Sequence, residues 1–138
     1  MRAILLASDG SQHSSKAAEY VVNLLHGNKE YRLKVVHVLD YEASKHDAWI
    51  GMNPSARLRE REEKLKPVSR VLEKAGISYS VNLTKGDPAE EIIDCAKKEK
   101  MDMIVIGSSG INAIQGLMLG SVSHKVVQKA DRPVLVVK

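Results

Sequence analysis

The sequence predicts an α/β domain built on a doubly wound parallel sheet. Three observations carry that reading. Short β-type runs alternate with helix-period segments from end to end, in the order βαβαβαβαβ. The first run, residues 2–8, is apolar without alternation, which suits a strand covered on both faces. Glycine and aspartate stand where β runs give way to helices, at Asp9-Gly10, Gly86-Asp87 and Gly107. Right-handed crossovers then place helices on both faces of the sheet.

The elements follow in order. After the first strand, Asp9-Gly10-Ser11 turns the chain, and Ser11 or a neighbour caps a helix that runs to Gly27-Asn28. Ala17, Ala18, Val21, Val22, Leu24 and Leu25 form its apolar side. Residues 31–39 read as the second strand. Residues 40–53 have no clear period and read as a loop with helical turns around Trp49. Pro54 opens a long helix to Lys74 or Ala75, with a kink or break expected at Pro67, which has no N–H to donate. Residues 77–83 alternate and read as an edge strand. Asp87-Pro88-Ala89-Glu90 combines a capping aspartate, a first-turn proline and a capping-box glutamate, and starts a helix that ends near Lys100. Met103–Gly107 is the fourth strand. A helix from about Ser121 to Lys129 ends before Arg132-Pro133, and Val134–Val137 closes the chain as a β run.

Length and composition bound the function. The chain has 138 residues, enough for one domain spanning 1–138 with a core of its own. It lacks Phe and has one Trp and four Tyr, so the core is aliphatic. The N-terminal apolar run is too short for a signal sequence and no segment approaches membrane-spanning length, which gives the expectation of a cytoplasmic protein without a membrane partner. Cys95 is the only cysteine, excluding an internal disulfide, and among Ile92, Ile93 and Ala96 it reads as a buried, inert thiol. The net charge of +4 is spread over helices and interleaved with glutamates. A nucleic-acid stripe would cluster cations among aromatics, so no nucleic-acid partner is expected.

The stretch richest in chemistry is Ile104–Ser123. A short apolar strand ends at Gly107, glycines recur as Gly107-x2-Gly110-x9-Gly120-Ser121, and a helix opens at Ser121-Val122-Ser123. Glycine permits close backbone approach to a phosphate, and the first N–H groups of a helix point at it unpaired. The spacing is neither the dinucleotide fingerprint nor the P-loop. Two readings stay open on pattern alone: an anion site, or glycines that merely turn a βα connection. Topology favours the site. Doubly wound sheets bind ligands beyond the strand carboxyl ends where the winding reverses. For strand order 3-2-1-4-5, Asp9 and Gly107 meet there.

With these residues assembled, the chain resembles the universal stress protein family. The likeness runs through Ile4–Ser11, Val36-His37-Val38, Gly86-Asp87-Pro88-Ala89, the glycine stretch and Pro133–Val137. The resemblance is to the ATP-binding branch, which carries this glycine spacing. It implies an adenine nucleotide alpha hydrolase-like sheet of order 3-2-1-4-5 and a homodimer, often paired through the last strands, here Val134–Val137. It also implies site roles. Ala7, Ser8 and Asp9 would lie beside adenosine and ribose, with Asp9 accepting from ribose hydroxyls or holding a metal. The backbone of Val38 would meet the adenine edge. Gly107, Ser108 and Gly110 would wrap ribose and phosphates, and Gly120, Ser121, Val122 and Ser123 would face the phosphates. Family members often carry His or Arg at the position of Ser109 and a basic residue at Ile111. Here no Lys or Arg lies between Gly107 and Ser123. ATP, ADP or AMP would rely on backbone N–H groups, hydroxyls, the helix end and Mg²⁺. Ile111, Ile114, Leu117, Met118 and Leu119 either pack as a short helical lid, the favoured expectation, or contact a partner.

Signs of an enzyme are few. The five histidines have no metal-ligand spacing, and His37 between valines reads as a core residue. No serine sits in a G-x-S-x-G elbow. Slow ATP hydrolysis is the most this set allows. A receiver domain would need an aspartate at the end of the third strand, and a flavin carrier would need aromatics. The functional expectation is a dimeric, ATP-binding regulatory module of the stress response with an unidentified downstream protein partner. The alternative is a dimeric stress-response interaction protein indifferent to nucleotide.

Overall fold

The structure, a computed structural model, describes residues 2–40, 53–108 and 120–138. The elements are β1 (Arg2–Ser8), α1 (Gln12–Leu25), β2 (Tyr31–Asp40), α2 (Pro54–Lys74), β3 (Ser80–Gly86), α3 (Pro88–Lys98), β4 (Met103–Gly107), α4 (Ser121–Lys129) and β5 (Val134–Val137). All five strands run parallel in the order β3-β2-β1-β4-β5. The predicted fold class and strand order therefore hold. The loop expected over 40–53, the lid expected across Ile111–Leu119, and Gly110 lie largely or wholly outside the described residues.

Strand periodicity sorts the core into two layers. Ala3, Leu5 and Ala7 of β1 point to one face, where they meet Val36, Ile104 and Ile106 and the helices α3 and α4 through Ile92, Cys95, Ala96 and Val126. Ile4 and Leu6 point to the other, against Val35, Val105 and the helices α1 and α2 through Ala17, Val21, Val68 and Leu72. The sheet is thus covered on both faces, and the side chains of Ile4, Leu5 and Leu6 are fully buried. Burial of aliphatic area on two sides, at about 25 cal/mol per Å², is the main stabilising term. Cys95 lies in the first layer as expected. Burial raises its thiol pKa, and Asn82 Nδ2 donates to its sulfur at 3.2 Å.

Of the kink or break expected at Pro67, the break does not occur; α2 is continuous from Pro54 to Lys74. One lost hydrogen bond is outweighed because the following turn buries Val68 and Leu72 completely. The third strand spans Ser80–Gly86 rather than 77–83. Ile77 is used by the end of α2: its N–H donates to the Leu72 carbonyl at 3.0 Å and that of Gly76 (φ +70°) to the Glu73 carbonyl at 3.0 Å. This is a Schellman ending, which consumes the residues that looked like the start of a strand. α3 ends the same way, with Lys100 in the left-handed region at φ +53° and Met101 N–H on the Ala96 carbonyl. β3 is an edge strand as expected, and β5 forms the opposite edge.

Candidate nucleotide site

The candidate site lies at the carboxyl end of the sheet, where β1 and β4 are neighbours and their following helices depart to opposite faces. Asp9 follows β1. Its Oδ1 accepts from Ser11 N–H (2.8 Å), Ser11 Oγ (2.5 Å) and Ser14 Oγ (2.7 Å), while its own N–H donates to Ser14 Oγ at 3.0 Å. The aspartate thus knits the turn to the first turn of α1. Gly10, at φ +83°, supplies the left-handed step between them. Asp9 is exposed, and Oδ2 has no hydrogen-bond partner among the described residues. That oxygen is free to accept from a hydroxyl or to touch a metal. Ser14 was not singled out by sequence; a serine in the first helical turn after Asp-Gly-Ser is the signal that finds it.

Ser8, the last residue of β1, is 6% exposed and its Oγ has no hydrogen-bond partner among the described residues. A buried hydroxyl without a partner costs about 1–3 kcal/mol. The Ser8 carbonyl accepts from His37 Nδ1 at 3.0 Å, which places the imidazole proton on that nitrogen. Burial holds His37 below its ordinary pKa of 6.5, so it is a neutral, satisfied core histidine. Val38 comes next on β2. β1 pairs with β2 only as far as Ser8 opposite His37, whereas Val38 still pairs with Thr84 of β3. Its side chain packs in the same layer as Ala7. Ala7, Ser8, Asp9 and Val38 are therefore brought together at the carboxyl end of the sheet.

The glycine stretch closes on itself at its base. Ser108 N–H donates to the Val137 carbonyl (2.8 Å), and Gly120 N–H to the Ser108 carbonyl (2.6 Å). Ser123, 4% exposed, donates its hydroxyl to the Gly107 carbonyl at 2.6 Å. These bonds hold the start of α4 against the end of β4. They also commit the Ser123 proton and the Gly120 N–H within the protein. A Cβ on Gly107 would lie 2.9 Å from the His13 carbonyl oxygen, so this glycine is required for the approach of α1. Gly120 sits at φ −70°, ψ 166°, a cap geometry open to any residue, and it gives α4 no side-chain cap. No acidic residue stands in the first turn of α4. Among the described residues no side chain therefore takes up the N–H groups of Ser121, Val122 and Ser123, at the positive end of the helix dipole. Among the described residues no cluster of three His, Cys, Asp or Glu side chains could hold a metal ion. No described helix is long and apolar enough to cross a membrane.

Comparison with known proteins bears on family and fold. The chain is 32% identical over 137 residues to universal stress protein MJ0531 of Methanocaldococcus jannaschii, covering 98% of this chain and 81% of the relative. It is 34% identical over 145 residues to universal stress protein YxiE of Bacillus subtilis, covering 98% and 97%. The structure of MJ0577, itself a universal stress protein of M. jannaschii, superposes with a TM-score of 0.84 at 29% identity, covering 99% of this chain and 95% of that one. The universal stress protein of Archaeoglobus fulgidus, solved in complex with dAMP, shares the fold with a TM-score of 0.71 at 22% identity, covering 100% and 98%. The model of the universal stress protein family matches residues 1–138, and the chain belongs to that family.

Proposed function

We propose that this chain is an adenine-nucleotide-binding module of the stress response, with ATP as the principal ligand and its phosphates at the start of α4. The observation that supports the reading is the N-terminus of α4, which has Gly120 at its cap and no side-chain cap among the described residues, at the same end of the sheet as the Asp9 turn. The partnerless Ser8 hydroxyl adds a buried polar atom at the same end of the sheet. Relatives of this fold support it, since universal stress proteins have been solved in complex with dAMP and with cAMP. In this reading the backbone of Val38 meets the base, Asp9 Oδ2 accepts from ribose, and the N–H groups of Ser121, Val122 and Ser123 bind phosphate oxygens. Gly107, Ser108 and Gly110 contribute the wall of the loop. Mg²⁺ would be carried mainly by the phosphates, with Asp9 Oδ2 as a carboxylate oxygen at the crevice. The nucleotide state would alter what the module contacts, and hydrolysis would be slow at most. The protein works as a cytoplasmic homodimer, pairing through the apolar edge strand Val134–Val137, which a second copy would cover.

The test is Gly120→Val. The backbone accepts valine at φ −70°, while its branched side chain occupies the approach to the helix N-terminus. We expect unchanged circular dichroism and no ATP binding in a titration to millimolar Mg-ATP. A folded variant with wild-type affinity would show that the phosphates bind elsewhere. One observation favours a second reading, a nucleotide-independent interaction protein: Gly107 already has a packing role against His13. Absence of binding by the wild-type chain in the same titration would select it.

A further inference from the structure

No cation lies within the glycine stretch, yet a polyphosphate brings several negative charges to the start of α4. The first cation after the stretch is Lys125, four residues beyond Ser121. Residues spaced i and i+4 share one helix face, and each helical side chain leans toward the N-terminus of its helix. Lys125 therefore lies over Ser121 and extends toward the uncapped end. Four residues rise only about 6 Å, within the reach of an extended lysine.

The structure shows where the ammonium rests. Lys125 Nζ is 3.5 Å from Asp87 Oδ1, with the two side chains 44% and 40% exposed. Asp87 is the N-cap of α3, and its other oxygen, Oδ2, accepts from Glu90 N–H at 3.1 Å. The ammonium thus sits between the N-termini of two adjacent helices, at the carboxyl end of the sheet. The pairing is single, solvated and long, so it is weak. It holds a cation beside the site and screens the Asp87 carboxylate from an incoming anion.

We propose that Lys125 is the residue that makes this site prefer polyphosphates: it leaves Asp87 and binds the β- or γ-phosphate, while a monophosphate is held by the helix N-terminus alone. The inference rests on the nucleotide reading above. It adds a positioned charge that the glycine spacing does not contain.

The test compares ATP, ADP and AMP binding, with Mg²⁺ present, for wild-type chain, Lys125→Gln and Asp87→Asn. Lys125→Gln is expected to weaken ATP about three- to tenfold, the range of an exposed to partly desolvated charge-assisted bond, and to leave AMP unchanged. Asp87→Asn keeps a good N-cap for α3 while removing the competing charge, and is expected to tighten ATP about twofold. Equal losses for ATP and AMP, or no loss of ATP affinity in Lys125→Gln, would overturn the role of Lys125 and leave nucleotide binding standing. Equal or weaker ATP binding by Asp87→Asn would overturn the release from Asp87. A wild-type chain that binds none of the three would overturn the nucleotide reading, and this inference with it.

Discussion

α3 and α4 pack side by side on one face of the sheet and start at the same end of it, but their N-termini are finished differently. α3 is closed by its own sequence. Asp87 caps it, Pro88 occupies the first turn, and Glu90 and Glu91 add negative charge there. At its other end, Arg132 Nη1 donates to the carbonyls of Ala96 (2.8 Å) and Met101 (2.7 Å). α4 has a glycine at the cap, no capping side chain and no acid in its first turn. Two neighbouring helices in one fold thus differ in whether the side chain at their cap takes up an orphan N–H group. The difference teaches that the start of α4 keeps its first N–H groups without a side-chain acceptor among the described residues, which is what the proposed phosphate site requires.

The comparison can be broken by closing α4. Gly120→Asp would give α4 the cap that α3 has, at a backbone conformation that already suits it. The carboxylate would occupy the N–H groups and repel phosphate. We expect loss of ATP affinity by about a hundredfold or more, roughly 3 kcal/mol, with fold stability kept or raised. Isothermal titration and urea unfolding read the two effects separately. Opening α3 is the converse. Arg132→Ala would remove the donor from two carbonyls at the end of α3 and should cost about 2 kcal/mol in urea unfolding. Asp87→Ala should cost about 1 kcal/mol, the usual loss of an N-cap, without weakening ATP.

The smallest effect belongs to the opposite face of the sheet. His37 is buried there with Arg61 and Lys64 of α2 nearby and Asp9 at the strand end, and burial dominates in lowering its pKa. Protonation is therefore disfavoured in the folded state. The unfolded chain binds more protons below the ordinary value of 6.5, so this contribution to stability is complete above that pH and is lost as pH falls toward the folded pKa. Urea midpoints measured down from neutral pH should fall, and His37→Gln should flatten that slope. An unchanged slope in the variant would assign it to other groups.

Much of this arrangement is legible in the sequence, for local reasons. β1, β4 and β5 match their expected spans because each is an apolar run bounded by turn residues or proline. The Asp87 cap is legible because a capping box is a contiguous signal. β3 was displaced because Ile77 serves the Schellman ending of α2, a geometry that a hydrophobic alternation does not encode. Pro67 did not break its helix because burial of Val68 and Leu72 is a tertiary effect. At the site, the meeting of Asp9 and Gly107 follows from topology alone. The hydroxyl partners do not: Ser14 on Asp9, Ser123 on the Gly107 carbonyl and Lys125 on Asp87 depend on how helices seat on the sheet.

The most direct measurement is the amide spectrum of isotope-labelled protein during titration with Mg-ATP. The N–H signals of Ser121, Val122 and Ser123 should shift and saturate together, while those of Glu90 and Glu91, in the closed first turn of α3, should shift far less. Saturable ATP binding that leaves the three α4 amides unmoved, or no response up to millimolar ATP, would contradict the assignment of the open α4 terminus as the phosphate site.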